Sequence, residues 1–203
     1  MRRPKPRPRP TPGMDADSSK PLPAFGFLTV VESPEHGLFG GYLVLSSLGR
    51  PLEFRCSTPI APSRAQEILY GPTLRPYLLA EIIGQALVSG SEVPVGMILT
   101  DQGDMLPLSL LRSEPVVCVA PVPAEAEAES VTSVRGGFDF AGCRVQVGDT
   151  CPLTVEQLID VLEPLAAHVN LCEPFGRICA ALAEAQMDSN DTAESPDDRA
   201  AAA

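Results

Sequence analysis

An α+β fold, with an antiparallel or mixed sheet packed by two helix pairs, is predicted by two patterns in this chain. Short apolar runs rich in β-branched residues recur between residues 25 and 147, each bounded by Gly, Pro or polar turn residues. Two other stretches, 63–88 and 154–186, place apolar residues three and four apart, the period of a helix with one buried face. Composition sets the character of the core. Trp is absent and aromatics make up only 5%, so Leu, Val, Ile and Ala must fill the interior.

The elements follow in order. Residues 25–31, FGFLTVV, form a strand. Pro34, Gly37, Gly40 and Gly41 mark residues 33–41 as a turn or flexible loop. Residues 42–46 and 52–57 are two more strands of an antiparallel meander. In the latter, alternation puts Leu52, Phe54 and Cys56 on one face. Ser63 caps a helix, with Gln66 three residues on as the second half of a capping box, and Gly71-Pro72 ends it near Tyr70. Thr73 caps a second helix through about residue 88, with Pro76 tolerated in its first turn.

Residues 94–100 predict a buried strand. Residues 101–104, DQGD, predict a turn, Met105 to Leu111 a returning strand, and residues 115–120 another strand. Residues 121–130 are a polar connector. A hairpin around Ala141-Gly142 joins residues 131–140 to 143–147. Thr154 and Gln157 form a second capping box, before a stripe of Leu158, Val161, Leu162 and Leu165. Asn170 stops that helix and Pro174 starts the last one.

Three regions result. Residues 1–23 are a basic, Pro-rich, disordered tail. Residues 24–187 are a single α+β domain, with 24–122 and 131–187 as candidate lobes. Residues 188–203 are a disordered polar tail. The tail prolines stand two apart rather than three, which does not support SH3-type recognition. Met14 is an alternative start. No apolar signal segment or membrane-length run is visible, so the expected location is cytoplasmic, with the six cysteines reduced.

The formal charge is −11, but Arg2, Arg3, Lys5, Arg7 and Arg9 all fall in the first ten positions. Without them the remainder stands at −16. So acidic a body repels phosphate, and nucleic acid is an unlikely partner except through the basic tail. Phosphate-binding Gly loops, G-x-S-x-G and H-E-x-x-H are all missing, and there are only two histidines, His36 and His168. Asp101 and Asp104 are better explained by a turn than by a cation site, so no metal and no cofactor is expected.

The densest polar cluster spans residues 50–81. Arg55, Arg64, Tyr70, Arg75 and Tyr77 are the candidate ligand- or partner-binding residues, because guanidinium forks grip anions and tyrosines add flat faces. The competing reading is an internal ion-pair network with Glu53, Glu67 and Glu81. The segment from Gly40 to Gly84, with its LEF, RAQ-x-x-LYG and LRPYL elements, resembles a group of uncharacterised bacterial proteins and implies no activity. The expected function is a non-catalytic ligand-binding or protein-interaction module, with a protein or small anionic ligand as partner. The alternative is a small enzyme acting on an anionic or nucleotide-like substrate through the 50–81 cluster.

Overall fold

The structure is a computed structural model, which describes residues 23–34, 36–122, 137–148 and 150–193. Seven strands form one mixed sheet: β1 (Ala24–Ser33), β2 (Gly37–Ser46), β3 (Pro51–Cys56), β4 (Met97–Thr100), β5 (Val116–Pro121), β6 (Gly137–Phe140) and β7 (Cys143–Val147). Their order is β3-β2-β1-β4-β5-β7-β6. The three central strands β1, β4 and β5 are parallel, and antiparallel strands flank them on both sides. Because β7 pairs with β5, the strands before and after the 121–130 connector belong to one sheet. That connector lies, from residue 123 on, outside the described residues, as do residues 1–22, 131–136 and 194–203.

Helices cover both faces, which is why β1 and β2 read as continuous apolar runs instead of alternating ones. On one face, Phe27, Leu43, Leu99 and Val117 pack against α4 (Val155–Ala166) and α5 (Glu173–Ala193). On the other, Leu28, Val30, Val44 and Ile98 pack against a less regular layer. This layer runs through α1 (Arg64–Tyr70), a 3-10 turn (Gly71–Thr73), α2 (Leu74–Pro76), a π-helical segment (Tyr77–Gly84) and α3 (Gln85–Ser89). A 3-10 helix (Gly103–Leu110) completes it through Met105 and Leu108. Among the described residues, no helix is long and apolar enough to cross a membrane.

Both capping boxes form as expected, Ser63 with Gln66 and Thr154 with Gln157. Ala141 and Gly142 take positive φ in the β6–β7 hairpin. Four local expectations need correction. Residues 37–41 belong to β2, because Gly40 and Gly41 let helices approach closely rather than let the chain bend. Thr73 makes no side-chain cap, its hydroxyl bonding back to the Tyr70 carbonyl. Residues 105–111 curl into a 3-10 helix, since Pro107 has no N–H for a ladder and the Thr100 hydroxyl bonds the Met105 sulfur. Leu52 and Phe54, on one face of β3, are half-exposed, because β3 is an edge strand. Helix α5 continues to Ala193, into the segment 188–203 read as a polar tail.

Candidate active site

The parallel strands end in a step. β1 pairs with β4 only from Phe25 to Leu28, opposite Met97 to Thr100. β1 then runs on while the chain leaves β4 at Asp101. The step sets Thr29 and Asp101 side by side on the α5 face, since Phe27 and Leu99 precede each by two residues and pack into that core. In open α/β sheets, ligands bind outside the carboxyl ends of the parallel strands.

The T-D-Q-G-D segment is tied to this step. The Thr100 hydroxyl accepts the Gln102 N–H at 3.2 Å and donates to the Met105 sulfur at 3.0 Å. The Gln102 side-chain amide donates to the Val30 carbonyl at 2.7 Å, anchoring the turn to β1. Thr29 is buried and its side chain hydrogen-bonds to Asp101. The Asp101 side chain still reaches solvent. Burial nevertheless dominates and holds its carboxyl above the usual aspartate range, while the Thr29 hydrogen bond and its own backbone N–H pull the other way.

The charge of Asp101 reaches three thiols. Burial, and then the charge of Asp101, push Cys118 up to about 11. Cys179 on α5 is raised for the same two reasons. Burial, and then contact with Cys143, push Cys172 up to about 12. These three groups are neutral thiols at pH 7, not nucleophilic thiolates. The chemistry at this end of the sheet therefore centres on Asp101. Among the described residues, no group of three His, Cys, Asp or Glu side chains could hold a metal. Asp104 is already committed, accepting from Arg75 at 3.1 Å.

The predicted cluster divides among separate partners. Arg55, on edge strand β3, pairs with Glu53 at 3.5 Å and lies against Gly90. Glu53 in turn accepts from the Ser91 hydroxyl and the N–H groups of Glu92 and Val93, which holds its carboxyl below the usual range. Arg64 is exposed and pairs with Glu67 along α1 at 2.8 Å. Arg75 alone reaches the strand ends, where it bridges Glu32 on β1 at 3.0 Å and Asp104. Tyr70 and Tyr77 stack with ring centroids 4.8 Å apart. Their hydroxyls interact, which raises Tyr77 above the usual tyrosine range. A groove of about 380 Å³ opens at Arg75, lined also by Glu32, Leu38, Glu67, Leu74 and Leu78.

Sequence reasoning took Asp101 as a turn or metal residue and, in the enzyme alternative, as one of three candidate bases beside Glu53 and Glu67, and it passed over Thr29 and Glu32. A polar residue inside an apolar strand was the available signal for Thr29. Glu32 has no such signal, because its link to Arg75 spans 43 residues.

No family model and no curated protein matches the chain. Solved structures do. The chain is similar to human ENDOV at 15% identity and a TM-score of 0.52, over 83% of this chain and 86% of that one. It is also similar to Endonuclease V of Ciona intestinalis, seen with a 24mer DNA containing an inosine followed by a ribo-adenosine, at 11% identity and a TM-score of 0.42, over 70% and 77%. The likeness to the human protein is one of fold. It corrects the expectation of a non-catalytic binding or interaction module, because the fold is one that a nuclease uses. The expectation that nucleic acid is an unlikely partner is overturned by the same finding: the overall charge was weighed without the fold beneath it.

Proposed function

We propose that this chain is an enzyme acting on nucleic acid, at the carboxyl ends of β1 and β4. The observation that carries this reading is the place of Asp101, side by side with Thr29 at the step where β1 runs on past the end of β4; burial there raises its proton affinity. A carboxylate so placed takes a proton from an attacking water better than an ordinary one. Arg75 uses Nε for Asp104 and Nη1 for Glu32. Its remaining guanidinium nitrogen, Nη2, is available to a phosphate oxygen. The Tyr70 and Tyr77 stack offers a flat face to a base, which is a sequence-tolerant contact. The fold shared with human ENDOV supports the reading without assigning the activity.

The charge of the body still opposes phosphate, and the five cations of the first ten residues supply the long-range attraction. Fluorescence anisotropy with labelled single-stranded and duplex oligonucleotides tests this, followed by a cleavage assay on the strands that bind. Binding by the full chain should weaken with salt at a log–log slope of about −3.5 to −4.5, as five phosphate contacts require, and flatten without residues 1–13. Asp101→Asn should bind as the natural chain does and lose about 10²–10⁴-fold in cleavage rate. Absence of binding even at about 50 mM salt, where such contacts are strong, would sink the proposal.

A further inference from the structure

Cys143 and Cys172 are 29 residues apart in sequence, and their sulfurs lie 3.1 Å apart. Each backbone is held independently of the other. Cys143 opens β7, paired with Phe140 across the hairpin and with Pro121 on β5. Cys172 sits in the turn that starts α5. Its N–H donates to the Asn170 side chain at 2.9 Å, and the Glu173 N–H donates to the Asn170 carbonyl at 3.0 Å. Buried Leu171 lies just before it, and Phe175 packs edge-on to Phe27 of β1 with ring centroids 5.6 Å apart. Neither anchor needs to move. Closing the sulfurs from 3.1 Å to the ~2.05 Å of a disulfide needs about 1 Å, within reach of side-chain rotation.

We propose that Cys143 and Cys172 are an oxidative modification site, closing under peroxide into a disulfide that staples the start of α5 to β7. The inference is independent of the nucleic-acid reading. The half-buried Cys172 reacts first, because Cys143 is almost fully buried. Hydrogen peroxide oxidises the Cys172 thiol to a sulfenic acid, and its other oxygen leaves as water. The Cys143 sulfur then attacks the Cys172 sulfur, a second water leaves and the S–S bond forms. Two thiol protons and two electrons pass to the peroxide, giving two waters in all. The high proton affinity of Cys172 makes the reaction slow at pH 7 and faster as the pH rises. The staple fixes the start of α5, the helix that carries Cys179, and the charge of Asp101 reaches both Cys172 and Cys179.

The test treats the full chain with hydrogen peroxide, blocks the remaining thiols and maps linked peptides by mass spectrometry without reductant. A dominant Cys143–Cys172 peptide is expected. Closing a loop of this length should raise the melting temperature by roughly 7–14 °C, reversed by dithiothreitol. Cys172→Ala should lose both the linked peptide and the shift. Cys143→Ala, which empties a core position, serves only for peptide mapping. A dominant link from Cys172 to Cys151 or Cys179, no link at all after prolonged peroxide at pH 9, or a melting shift that survives in Cys172→Ala would each overturn the proposal.

Discussion

Gly40 and Gly41 are consecutive in β2 and look in opposite directions. A methyl group on Gly40 would strike Ile83 and Leu87, from the π-helical segment and α3. One on Gly41 would strike Ile178 and Leu182, from α5. The two helical layers therefore approach the same strand equally closely, but they are built differently. The α5 side uses two regular helices and holds Asp101, Thr29 and the thiols of Cys143, Cys172 and Cys179. The other side breaks into α, 3-10 and π turns within 26 residues, from Arg64 to Ser89, and carries Arg75 with the stacked tyrosines. Irregular helix of this kind is frequent at functional sites. In the proposed function, chemistry falls to the regular face and substrate contact to the irregular one, at the carboxyl edge of the sheet.

The largest effects should come from those glycines. Each of Gly40→Ala and Gly41→Ala should destabilise the fold by about 1–3 kcal/mol in urea unfolding, because the added methyl overpacks a strand–helix contact. Cleavage should separate them. Gly41→Ala displaces α5, beside Asp101, and should lower the rate of the folded enzyme more than Gly40→Ala does. Equal losses of rate would break the division between the faces.

A smaller effect should follow from Asp101 itself. Its proton affinity is raised above the unfolded value of 3.8, so the fold penalises the ionised form. That penalty is fully present above the folded pKa and fades as the pH falls towards and below 3.8. Asp101→Asn should therefore melt higher than the natural chain at pH 7, with the gain gone below pH 3.8. A variant that melts lower at pH 7 would mean that the Thr29 hydrogen bond outweighs burial.

The smallest effect belongs to Tyr42, on the irregular side. It is fully buried, and its hydroxyl has no hydrogen-bond partner among the described residues. Burial raises it above the usual tyrosine range, so it remains a neutral phenol. Tyr42→Phe should be neutral or stabilise by about 1 kcal/mol, since it removes a polar group that burial leaves unpaired. A clear loss of stability would show that a water or ligand in the adjoining cavity of about 340 Å³ satisfies that hydroxyl.

Local signals carried much of the fold. Ser63 with Gln66 and Thr154 with Gln157 mark helix starts because their bonds span three residues and need nothing distant. The apolar runs of β1, β2 and β5 mark strands because both faces of the central sheet are covered. Gly40 and Gly41 misled because the same residue serves a turn and a close helix approach, and only the packed helix distinguishes them. The arginine cluster was legible as a set of residue types, but its partners were not: Arg75 finds Glu32 at 43 residues and Asp104 at 29. Parallel pairing of β1 with β4 brings Thr29 to Asp101, 72 residues away. Helix starts and buried strands were readable in the residues themselves, because periodicity and capping act over a few positions. The site required the folded sheet, because the register of parallel strands is set by the packing of both faces and leaves no mark on either strand alone.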